Sequence, residues 1–106
     1  MIERGSSIHL GIADLLEAAA DAEGIPWQPR SMGGASGNDG DTIAYSLAGV
    51  PVGVVEIPDR YMHSPSETIS LADLERVPRL LAAFARRLPT DVTFARSLRC
   101  ARPDRT

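Results

Sequence analysis

One histidine and one glycine-rich stretch hold most of the chemistry that this sequence could do. His63 sits in Asp59-Arg60-Tyr61-Met62-His63-Ser64-Pro65-Ser66-Glu67, directly after a valine-rich run. Neutral imidazole is the commonest protein metal ligand. In open α/β sheets, sites gather beyond the carboxyl ends of strands. A histidine in that position can therefore face a cleft. On residue type alone, a surface or hydrogen-bonded histidine is the commoner outcome.

The second candidate is Gly33-Gly34-Ala35-Ser36-Gly37-Asn38-Asp39-Gly40. Glycines let backbone amides approach a ligand, and Asp39 could bind a cation or an amine. A flexible connection ending in a helix cap is the plainer reading. No Gly-Lys-Ser/Thr follows, so this is not a phosphate loop. Asp39 and Asp41 could share acid–base work, although solvated carboxylates near a helix start are commoner. His9 has no Cys or His at zinc-ligand spacing. Neither Ser36 nor Ser64 lies in a nucleophile elbow. Trp27 suits packing better than base stacking, because no basic and aromatic pattern surrounds it.

These residues need elements to position them. Residues 2–8 read as a short strand or an extended lead-in. Residues 11–23 read as a helix, with Ile12, Leu15, Leu16 and Ala19 at helical spacing. Gly24 stops it and Pro26 blocks continuation. Residues 25–32 read as a short edge strand between prolines. A short helix follows over 41–47, capped by Asp39 or Asp41. Val50, Val52, Val54, Val55 and Ile57 make the best strand, β-branched enough for the middle of a parallel sheet covered on both faces. Ser70 opens the longest helix, with Asp73 completing a capping box. Its apolar stripe is Leu74, Val77, Leu81, Phe84 and Leu88. Pro78 should kink that helix or delay its start. Residues 91–106 read as a frayed arginine-rich tail.

The alternation of helices and strands predicts an α/β fold. Strong strands are too few for an independent doubly wound domain, which suggests a piece of a larger sheet. The chain has 106 residues, room for one small domain. Its net charge of −3 draws it to neither nucleic acid nor a membrane surface. All eleven basic residues are arginine. Cys100 is the only cysteine, so no internal disulfide can form and a cytoplasmic location is expected. No apolar run approaches the length of a membrane span.

At the two candidate loops the sequence resembles the glutamyl, deblocking and tetrahedral aminopeptidase family of two-metal peptidases, some of whose members carry cellulase-like names. Residues 57–67 are similar to the family's closing motif, Ile-Pro-x-Arg-Tyr-x-His-Ser/Thr-Pro-x-Glu. Ala48-Gly49-Val50-Pro51 and Gly24-Ile25-Pro26-Trp27-Gln28 match upstream segments in the same order, and residues 69–81 follow the next strand-to-helix pattern. The resemblance implies a partial three-layer α/β sheet with helices packed on it, a fragment of a metallo-aminopeptidase catalytic domain over residues 1–90. It makes His63 the last ligand of a site holding two divalent metals, zinc or cobalt, that acts on peptide N-termini. It places Gly37, Asn38, Asp39 and Gly40 in the substrate-cleft loop, where the family has Gly-Thr-Asp-Ala. Arg60, Tyr61 and Glu67 become orienting or structural residues.

The resemblance also implies what is missing. Family members run to roughly three times this length, in keeping with several domains. The other metal ligands and the general-base glutamate lie upstream of the matched region. A catalytic zinc needs about three protein ligands, so this chain should hold no catalytic metal alone and carries no catalytic residue of its own. Three readings follow: an enzyme fragment, a half that pairs with the missing N-terminal part, and a non-catalytic module that self-associates or binds a partner.

Overall fold

The computed structural model describes residues 1–95. Strand β1 (Ile2–Arg4) leads through a turn into helix α1 (Leu10–Ala22). Five residues of α1 are buried: Ile12, Ala13, Leu16, Ala19 and Ala20. The small side chains let α1 approach its neighbours closely, and it packs on both β1 and helix α3 (Leu71–Arg87). Gly24, at φ +62°, ends α1. The Ile25 amide then reaches back to the Ala20 carbonyl at 2.9 Å, and that of Gly24 to Asp21 at 3.2 Å. This is a Schellman closure, with Ile25 buried beneath it.

Strand β2 (Pro29–Ser31) pairs parallel to β1, with Ile2 opposite Pro29. The expected strand over residues 50–57 takes a different form. It runs extended beside β1 with one isolated antiparallel bridge, Ile2 to Val55. Glu3 donates to the Val54 carbonyl at 3.0 Å, His9 to Val52 at 2.8 Å, and Glu56 to Met1 at 2.9 Å. Val52, Val54 and Val55 are half-buried and Val50 is exposed, so the segment is not a central parallel strand covered on both faces. Its one partner is three residues long, and Pro51 and Pro58 lack the amides to extend a ladder.

Helix α2 (Asp39–Ala44) is capped by Asn38, whose side chain accepts from the Gly40 amide at 2.9 Å. Neither Asp39 nor Asp41 is the cap. Strands β3 (Asp59–Arg60) and β4 (Thr68–Ile69) form an antiparallel hairpin. The sheet structure among the described residues is thus two separate strand pairs plus the bridged segment. The α/β character holds, without one continuous three-layer sheet.

In α3, Leu80 and Ala83 are buried and Val77 and Phe84 half-buried, whereas Leu74 and Leu81 are about half exposed, at 45% and 46%. The contact face is therefore rotated from the expected stripe. Apolar residues occupy more of this helix than α1 can cover, and the sector holding small Ala83 is the one that packs. Ser70 is the N-cap but makes no side-chain capping bond. The helix runs through Pro78 as one element. Pro78 and Leu74, whose carbonyl loses its intrahelical partner, both lie on the exposed side. Of the expected tail, residues 91–95 are described: the His9 ring nitrogen donates to the Phe94 carbonyl at 3.0 Å, and Phe94 packs against the core. Residues 96–106, with Cys100, lie outside the described residues.

The described helices include none long and apolar enough to cross a membrane.

Gly53 is where residues 52–55 press on α1. A Cβ there would collide with Ile12 Cγ2 and stand 3.2 Å from Leu16 Cδ1. Gly53→Ala should lower stability by about 1–3 kcal/mol, the usual cost of overpacking. Urea unfolding of the two chains checks this, and an unchanged midpoint would mean that the segment is not seated on α1.

Candidate functional site

His63 lies in the loop of the β3–β4 hairpin, exposed, with Tyr61 and Glu67 in the same loop. Tyr61 and His63 both have left-handed backbones, at φ +64° and +61°. For residues other than glycine this conformation costs roughly 1–2 kcal/mol each. Local bonds hold it. The Ser64 amide donates to the Tyr61 carbonyl at 3.0 Å. The His63 amide donates to Glu67 Oε1 at 2.6 Å, a short, charge-assisted bond. The Ser64 hydroxyl bridges to the Ser66 carbonyl at 3.2 Å. Among the described residues neither His63 ring nitrogen has a hydrogen-bond partner, so the imidazole is free to take one. Arg60 is on β3, opposite Thr68.

The glycine loop is pinned, not loose. Glu3, on β1, is fully buried, and its carboxylate accepts from the Ser36 hydroxyl and, at 3.5 Å, from Asn38 Nδ2. Asp41, in the first turns of α2, accepts from the Ser7 hydroxyl, the Ser36 amide at 3.1 Å and the Gly37 amide at 2.8 Å. These bonds, that of Ser7 first, hold the Asp41 carboxyl below its ordinary range. Ser6 adds a bond to the Gly34 carbonyl at 3.0 Å. A side chain at Gly40 would displace the Asn38 cap as it stands. An added Cβ would stand 2.7 Å from Asn38 Oδ1 and 3.2 Å from Val54 Cγ2. Asn38 and Gly40, the two departures from the Gly-Thr-Asp-Ala pattern, are thus in direct contact, the Asn38 oxygen capping the Gly40 amide. Asp39 is exposed and has no hydrogen bond or ion pair among the described residues.

No hydrogen bond or ion pair joins this loop to the His63 hairpin within residues 1–95. Two clefts flank the core, of about 390 and 630 Å³. The first lies between Trp27, Val55 and Leu80; the second is lined by His9, Tyr45 and Phe94. His63 lines neither. Among the described residues no group of three His, Cys, Asp or Glu side chains comes together to hold a metal.

The profile of the M42 glutamyl aminopeptidase family matches residues 1–80, most of the chain. This chain belongs to that family. An M42 chain should resemble others along this stretch, and two relatives do. A protein of Acetivibrio thermocellus named "Putative aminopeptidase" is 37% identical over 79 residues, covering 74% of this chain and 24% of that protein. "Putative aminopeptidase SgcX" of Escherichia coli (strain K12) is 39% identical over 71 residues, 67% of this chain and 19% of that protein. The chain thus spans about a quarter or less of the M42 relatives it matches.

M42 membership suggests divalent-metal chemistry. His63 fits as one donor, but the described residues of this M42 chain do not make a catalytic metal site, which needs about three protein ligands. The Glu3–Ser36 and Ser7–Asp41 pairs escaped the sequence reading. Glu3 stands between Ile2 and Arg4, where a charged residue in a short strand is expected to face water. Only the partners from a loop some thirty positions away explain a buried carboxylate there.

The Asp41 bonds predict an acid dependence. A depressed folded pKa contributes stability that is present above the unfolded value of 3.8 and is lost as pH falls through the folded value. Asp41→Asn should therefore be less stable than the parent at neutral pH, with the gap narrowing below about pH 3.8. Urea midpoints of both chains at pH 7 and pH 3 measure it. A gap of equal size at both pH values would show that the Asp41 charge does not hold the loop.

Proposed function

We propose that this chain supplies one metal ligand, His63, to a two-metal aminopeptidase site whose other ligands lie on polypeptide outside residues 1–106, and that it hydrolyses no peptide alone. The observation that carries the reading is an exposed imidazole with both nitrogens unengaged among the described residues, held on a bonded loop in an M42 chain. The Gly37–Gly40 loop would line the substrate cleft, with Asp39, exposed and unbonded among the described residues, placed for a charged group of the peptide. Zinc or cobalt would suit the imidazole. A cytoplasmic location accords with a single cysteine.

The surface supports a covered state. Leu47 is fully exposed, Leu71 is 78% exposed, and Leu74 and Leu81 stand about half out of α3. Such exposed apolar area favours docking against more polypeptide, either the upstream part of a family chain or a second copy. The first is the reading preferred here, because it completes the ligand set.

The test uses the chain and a chimera of the Acetivibrio thermocellus relative in which residues 1–80 replace the matching segment. Residues 1–106 with zinc or cobalt should release no amino acid from an aminoacyl anilide. The chimera should do so, and His63→Ala in it should cost more than the about 10–100-fold typical of changes beside a ligand. Metal-dependent turnover by the 106-residue chain, or a chimera indifferent to His63→Ala, would overturn the proposal.

A further inference from the structure

The strain in the β3–β4 loop is paired with one carboxylate. Tyr61 and His63 are left-handed on either side of Met62, and no glycine is present between Asp59 and Ile69 to take that conformation freely. The loop lies off the hydrophobic core and all of residues 61–67 are exposed, so packing does not impose its shape. Glu67 does what packing does not. Its Oε1 takes the His63 amide at 2.6 Å, closing the loop across Pro65. The carboxylate engages the backbone of His63 and leaves the ring alone, so the imidazole stays open while the main chain beneath it is fixed.

We propose that Glu67 is a positioning residue that acts on the His63 backbone amide: it holds residue 63 in the left-handed conformation and thereby aims the imidazole out of the loop. A left-handed α-carbon throws its side chain to the opposite side of the local chain from an extended or helical one. Release of the amide would let residue 63 relax to negative φ and carry the ring to a new direction. The role differs from the common arrangement in which a carboxylate orients a ligating histidine through its second ring nitrogen. Its functional consequence rests on the reading of His63 given above, while the backbone geometry does not.

The experiment has two arms. In the 106-residue chain, nitrogen-15 NMR should show the His63 amide proton well downfield. Glu67→Ala should move it upfield and shift the His63 Cα and Cβ resonances away from left-handed values. Glu67→Gln, which keeps an acceptor oxygen, should restore part of both. Resonances of α1 and β1 should be unchanged in both variants, since the loop is outside the core. An amide insensitive to Glu67→Ala, or no difference between the Ala and Gln variants, would overturn the backbone role. In the chimera, Glu67→Ala should raise the metal concentration for half-maximal activity by about 10-fold, with Glu67→Gln in between. An unchanged metal requirement alongside the predicted NMR shifts would remove the functional half of the proposal. A chimera indifferent to His63→Ala would instead sink the ligand reading and leave the amide result standing.

Discussion

Three residues of strand β1 hold the rest of the chain in place. Ile2, Glu3 and Arg4 take β2 on one side and the segment 52–56 on the other, and α1 lies against them. Ile2 is a core residue, burial worth roughly 1.5–3 kcal/mol. Glu3 donates its amide to Val54 and accepts the Ser36 hydroxyl with its carboxylate. Arg4 reaches Asp14 and Glu17 on α1, each at 2.7 Å. One short strand thus ties together the helix, the glycine loop and the valine segment that leads into the His63 hairpin. A buried carboxylate is costly unless its oxygens are satisfied, so the glycine loop and Glu3 each require the other.

The sequence carried the local order of the chain better than its long-range contacts. Helix α1 was legible because a Gly-Ile-Pro stop follows a clean apolar face, and the observed bounds, Leu10–Ala22, differ by one residue at each end. The position of His63 in a loop after residue 57 was legible too, from the Pro58 stop and the Ser-Pro-Ser that follows the histidine. The valine run misled, because β-branching reports a tendency to be extended and says nothing of how many partners are available. With β1 alone beside it, the run became a bridged segment. The stripe on α3 misled for a related reason: periodicity gives the set of apolar positions, but the neighbour decides which sector is buried. Glu3, Ser7, Ser36 and Asp41 carry no spacing signal, since their bonds join residues far apart in sequence.

Family membership and geometry bear on the proposed site together. The M42 profile covers residues 1–80, while the matched relatives are at least four times longer than the stretch they share with this chain. His63 sits on a self-closed hairpin outside the core, its ring unengaged among the described residues, and the glycine loop is held by Glu3 and Asp41. Both loops are held by their own bonds, which would reduce the ordering cost of the proposed docking.

The most direct measurement is anomalous diffraction at the zinc edge from crystals of the chimera loaded with zinc. The account predicts a metal peak about 2.0–2.1 Å from one ring nitrogen of His63, the usual zinc–imidazole distance, with the Glu67 carboxylate on the backbone amide. An active, fully loaded chimera whose His63 ring points into solvent, with every zinc ligand supplied by other residues, would contradict it.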